Sequence, residues 1–95
     1  MSKKDAYVSK MKAQLDEWSA DIDKLQAKAE KAEAGLQLEY KKKIDRLKSL
    51  RTAAQQKLVE LKESGDNAWK DFKTGVESAW NELESALDNL GNEIQ

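Results

Sequence analysis

The feature that most constrains this chain is a step of eleven: Leu25, Leu36, Leu47, Leu58, Trp69 and Trp80 stand eleven residues apart. Eleven residues make three helical turns at about 3.67 residues per turn, so a stripe with this period stays on one side of a nearly straight helix. The C-terminal stretch shows the repeat most plainly, with Trp69 recurring as Trp80, Phe72 as Leu83 and Val76 as Leu87. Upstream the count is different. Val8, Met11, Leu15, Trp18, Ile22, Leu25, Ala29, Ala32 and Leu36 alternate spacings of three and four, the a/d pattern of a heptad seam. Both periods belong to helices, and neither fits the two-residue alternation of a half-buried strand.

Composition points the same way. Among 95 residues there is no Pro and only four Gly, so no proline interrupts a helix anywhere. Charged residues make up 37% and hydrophobic ones 39%, with mean hydropathy −0.88, which leaves little apolar material for a thick core. The fold class expected is all-α, and elongated or oligomeric in preference to compact.

Where the chain turns decides the architecture. In "KESGDNAW", Gly65 can take the left-handed position after a helix and Asp66 or Asn67 can cap the next one. A turn there makes residues 1–95 a single long helical hairpin, with 1–64 as the long arm and 65–95 as a shorter antiparallel arm. The seams then meet in layers: Leu61 with Trp69, Leu58 with Phe72, Ala54 with Val76, Leu50 with Trp80, Leu47 with Leu83, Ile44 with Leu87, Tyr40 with Leu90, and Leu36 with Ile94. The expected hairpin core is therefore Leu36, Tyr40, Ile44, Leu47, Leu58, Leu61, Trp69, Phe72, Trp80, Leu83 and Leu87. The alternative is a three-helix bundle with a second turn at Gly35. A lone Gly costs a helix only about 1 kcal/mol relative to Ala, and its flanks are strong helix formers, so the continuous arm from about Lys3 to Glu63 is preferred. Such an arm would be roughly 90 Å long.

The hairpin leaves a remainder. The returning arm ends near Leu36, so Val8, Met11, Leu15, Trp18, Ile22 and Leu25 have no partner within the chain, and an apolar stripe of that size calls for a second copy. These six are the expected self-association residues, with a homodimer or homotetramer as the result. A further line, Ala6, Ala13, Ala20, Ala27 and Ala34, repeats every seven residues on the opposite face. It is read either as helix propensity or as a second, close helix contact that would join dimers into tetramers.

Little in the sequence suggests chemistry. With no Cys and no His, thiol nucleophiles, disulfides, imidazole bases and the usual zinc or haem ligands are excluded. The carboxylate pairs Asp21 with Asp23 and Glu82 with Glu84 sit two apart and diverge on a helix, while Glu17 and Asp21 alone fall far short of a calcium shell. No catalytic residue, cofactor site or metal site is expected, and the protein is read as no enzyme. No apolar leader follows the charged N-terminus and no window approaches a membrane span, so a soluble, cytoplasmic protein is expected.

Charge is unevenly placed: residues 1–65 hold 15 Lys and Arg against 11 Asp and Glu, and residues 66–95 hold 2 against 7. The run Lys41-Lys42-Lys43 is too short to argue for nucleic acid and reads as a solvated helix face. Trp18, Trp69 and Trp80 all lie on the seams and read as core. The last helix is strongly amphipathic, its apolar residues falling within an arc of about 80°, so reversible binding to a membrane surface is the rival function. Seven acids on that segment disfavour it, because anionic lipid repels them.

The segments "MKAQLDEW" and "AWKDFKTGVESAW", within a similarity that spans nearly the whole chain, resemble a family of small bacterial coiled-coil proteins often labelled stress-response proteins. The resemblance implies a stress-associated setting and carries over no functional residues. The elevens also look like those of apolipoproteins and desiccation-associated proteins, in period and composition alone. The function expected is a non-enzymatic coiled-coil self-assembly or scaffold protein, whose partner is itself or another protein.

Overall fold

The computed structural model describes residues 2–94 as three helices: α1 Lys3–Glu30, α2 Ala34–Glu63 and α3 Trp69–Glu93. No strand occurs among the described residues, so the all-α expectation is met. Of the two architectures the sequence left open, the structure has the bundle. The expected single arm of roughly 90 Å cannot fit a molecule whose principal extents are 51 × 19 × 17 Å.

Each helix has local reasons to form. The Ser2 hydroxyl caps α1 by accepting from the Asp5 amide at 3.1 Å, and Asp5 adds an acid to the positive end of the helix dipole. Lys28 and Lys62 lie in the last turns of α1 and α2, where a cation is favourable. α3 has no side-chain cap: Ala68 stands at its N-cap, and neither Asp66 nor Asn67 takes the role expected of them. Gly65 also departs from expectation, since no described glycine has a positive φ. The turn is closed by backbone bonds instead, with the Ala68 and Trp69 amides donating to the Gly65 carbonyl at 3.0 and 3.2 Å.

The second turn is at Lys31–Glu33, and Gly35 lies inside the first turn of α2. α1 ends in helical geometry at Lys31 (φ −93°, ψ −2°), and Glu33 swings out at φ −56°, ψ 145° to start α2. The Gln37 side-chain amide clasps the turn, its Nε2 donating to the Glu30 carbonyl at 3.0 Å and to the Ala32 carbonyl at 2.9 Å. Tertiary burial overrides helix propensity here. Folding back buries Met11, Leu15, Trp18, Ile22, Leu25 and Ala29, and at about 1.5–3 kcal/mol for each large side chain this is worth on the order of 10 kcal/mol. Breaking a helix costs a few hydrogen bonds, each worth about 1 kcal/mol net.

α2 is the central element, packing extensively against both α1 and α3, while α1 and α3 meet less extensively. At one end the start of α1 reaches the start of α3 and the close of α2. The Tyr7 and Trp69 rings lie 5.7 Å apart, and Lys4 Nζ donates to the Ser64 carbonyl at 2.9 Å. At the other end the Tyr40 hydroxyl donates to the Glu93 carbonyl at 3.3 Å. With the Arg46 and Glu82 ion pair at 3.9 Å between them, these contacts put α2 and α3 antiparallel, within about one turn of the register read from the seams.

Ile22, Leu47, Leu61, Leu83 and Val76 are the large side chains most completely enclosed, and they come from all three helices. Truncating Leu15, Ile22 and Leu25 together to Ala therefore destabilises the monomer itself, each change costing about 2–5 kcal/mol. Urea titration followed by circular dichroism should show all three helices unfolding together, with no hairpin of α2 and α3 surviving.

Candidate interaction surfaces

The residues assigned to self-association are where the structure departs most from the sequence reading. Met11, Leu15, Trp18, Ile22 and Leu25 are buried against α2 and α3 of the same chain, and Val8 is half-buried beside them. The seam that called for a second copy is covered from within. Assignment to the hairpin core holds for Ile44, Leu47, Leu58, Leu61, Trp69, Trp80, Leu83 and Leu87, all buried, together with Ala54, Val76 and Leu90. Tyr40, Leu50 and Ile94 are partly buried against them. Leu36 and Phe72 are corrections: each is 39% exposed. Leu36 lies in the opening turn of α2 beside the Lys31–Glu33 turn, whereas Phe72 is exposed although Trp69, nearer the same end of α3, is buried.

The outer surface carries the remaining features. Ala6, Ala13, Ala20 and Ala27 are all exposed along α1, and Ala34 opens α2, also exposed. Leu38 and Val59 are exposed on α2. Between α1 and α2 runs a shallow groove lined by Lys12, Asp16, Arg51, Gln55 and Val59. Among the described residues no three Asp or Glu side chains come together to hold a metal ion.

Charge placement follows packing. Lys43 is not a free member of a basic run: its Nζ lies 2.6 Å from a Glu93 carboxylate oxygen and 3.4 Å from Glu39. The hydrogen bond that Lys43 donates to the Glu93 carboxylate holds its ammonium above its ordinary range. Arg46 faces Glu82, so the basic middle helix and the acidic last helix meet along one seam. Such exposed pairs are screened by solvent and serve register more than stability. Lys41 and Lys42 remain exposed.

Two polar details escaped the sequence reading. Trp80 is 3% exposed and its indole Nε1 has no acceptor among the described residues. An unpaired buried donor costs about 1–3 kcal/mol, which the burial of roughly 200 Å² of ring, at about 25 cal/mol per Å², outweighs. Tyr7 is the second. Its ring lies against Trp69 at a 40° tilt, carries Lys73 Nζ 5.4 Å from its centroid, and directs its hydroxyl at Glu77 Oε1, 3.4 Å away. Burial first, then the Glu77 charge and hydrogen bond, push its pKa from 10.0 up to about 12. Neither signal is visible in one dimension, because Tyr7 and Glu77 meet only when α1 lies beside α3.

Comparison with family models, with curated proteins and with solved structures finds no match to this chain. No helix among the described residues is long and apolar enough to cross a membrane.

The Tyr7 environment has a pH consequence. A folded-state pKa above the unfolded one favours folding while the phenol is neutral. That contribution is whole below pH 10 and is lost as pH rises toward 12. Absorbance titration of the phenolate should give Tyr7 a midpoint near 12. Glu77→Gln should lower that midpoint only part of the way, since burial is the larger cause and remains.

Proposed function

We propose that this protein is a non-enzymatic helical assembly module, used in the cytoplasm in a stress-associated setting, that works by presenting helix faces to copies of itself. The observation that carries the reading is the division of its side chains. Among the described residues every buried one is hydrophobic, and the charged residues are all exposed or partly exposed. Catalysis and cofactor binding rely on polar groups held away from bulk water, whereas what the outer surface offers is helix faces that carry exposed Ala6, Ala13, Ala20 and Ala27 on α1 and exposed Leu38 and Val59 on α2. The resemblance of "MKAQLDEW" and "AWKDFKTGVESAW" to small stress-associated coiled-coil proteins supports the setting.

Reversible membrane binding is the second reading, and it requires α3 to leave the bundle. Trp69 and Trp80, the residues that would enter the lipid interface, are 7% and 3% exposed in the core. The helix would also turn an acidic polar face toward the lipid headgroups.

Sedimentation equilibrium separates the two. Association that grows with concentration into the high micromolar range, without co-sedimentation on anionic vesicles, is expected. A strict monomer whose Trp emission shifts to the blue on adding vesicles would favour the membrane reading.

A further inference from the structure

We propose that the chain assembles by exchanging α1: the turn at Lys31–Glu33 straightens, α1 and α2 become one continuous helix, and α1 packs onto α2 and α3 of a second copy. This rests on the assembly reading above and gives it a route.

Three observations carry the exchange. The turn is built from residues that would continue a helix as readily as end one. Lys31, Ala32 and Glu33 are all good helix formers, no described residue there has a positive φ, and the Glu33 side chain makes no capping bond at the start of α2. Only the Gln37 clasp on the Glu30 and Ala32 carbonyls ties the turn with a side chain, and a continuous helix would satisfy the latter's backbone by itself. The apolar seam also runs through the turn without a break in spacing, as Leu25, Ala29, Ala32, Leu36 and Tyr40. In the closed bundle this continuity is unused and Leu36 stays 39% exposed. With the helix straightened, two copies cross antiparallel at the turn and each Leu36 faces the seam of its partner. Finally, each contact that α1 makes in the bundle, such as Tyr7 with Trp69 and Lys4 with Ser64, is re-formed between chains. The equilibrium thus turns on the turn itself and on the cost of association.

The second copy is the occupant because no other partner reproduces the surface of α1. The product is a dimer of two end-to-end three-helix halves, spanned by helices of roughly 90 Å.

Ala34→Pro is the discriminating substitution. Ala34 is the first residue of α2, where proline is favoured and its missing N–H is not used, and the preceding Glu33 already has the extended backbone a pre-proline residue prefers. In a continuous helix the same proline would sit mid-helix and clash with the carbonyl four residues back. The bundle should therefore keep its helix content and thermal midpoint, while the dimer constant falls by about 100-fold or more per turn. Inserting Gly-Gly after Ala32 is a second block that spares the bundle. Gln37→Ala, which removes the clasp, should raise the dimer constant roughly tenfold.

Location of the contacts is read with Lys4→Cys and Ser64→Cys in the same chain, which has no other cysteine, after refolding at high concentration and treatment with a short bis-maleimide. Exchange joins different chains, giving covalent dimers on a denaturing gel in the parent, more in Gln37→Ala, and few in Ala34→Pro or the Gly-Gly insertion. Dimers in solution whose links all lie within single chains would overturn the exchange and leave the assembly reading standing. Interchain links undiminished by both blocking variants would also overturn it. A parent that stays monomeric after refolding would overturn both.

Discussion

The structure depends on one hydrophobic seam finding cover. α1 presents Met11, Leu15, Trp18, Ile22, Leu25 and Ala29 on one side, and a helix with that stripe cannot stay in water alone. Once α1 lies on α2 and α3, the Tyr7 contacts and the Lys4 bond to the Ser64 carbonyl follow from proximity. Without it, α2 and α3 would be a two-helix hairpin open along one side, which is a poor enclosure for Ile22's neighbours in the middle of the bundle.

The same requirement explains why α2 is central. It must offer an apolar face wide enough for two partners, and it does so with Ile44, Leu47, Ala54, Leu58 and Leu61. Polar selection then works at the edges. Basic Lys43 and Arg46 lie on the side toward α3 and meet Glu93 and Glu82 there, so the uneven distribution of charge along the chain is partly an inter-helix match. The exposed pairs contribute little energy, yet they penalise shifted registers in which like charges would meet.

The turn at Lys31–Glu33 has a different character from the turn at Gly65. Around Gly65 the sequence changes to Ser, Gly, Asp and Asn, residues that favour loops on their own account. At Lys31–Glu33 it does not change at all, and the turn is imposed by the packing of the helices on either side. A turn with no local preference of its own is the natural place for a chain to choose between folding back on itself and reaching to a neighbour.

Helical class, the seam positions, the antiparallel register of α2 with α3 and the turn near Gly65 were all legible in the sequence, because each rests on local propensity or on a period that one helix displays by itself. The assignment of Leu36 and Phe72 to the core missed because periodicity marks a face and says nothing of how fully the neighbouring helices cover each position along it. The surfaces were legible only in part. Spacing identified the line from Ala6 to Ala27 as a separate face, but the pairing of Tyr7 with Trp69 and Glu77 joins residues with no common period. The sequence by itself determined which side of each helix is apolar. Only the tertiary structure decided whether the seam of α1 is covered by its own chain. That choice weighs a small local preference for continued helix against a much larger burial free energy, and the burial term depends on which surfaces are near enough to meet.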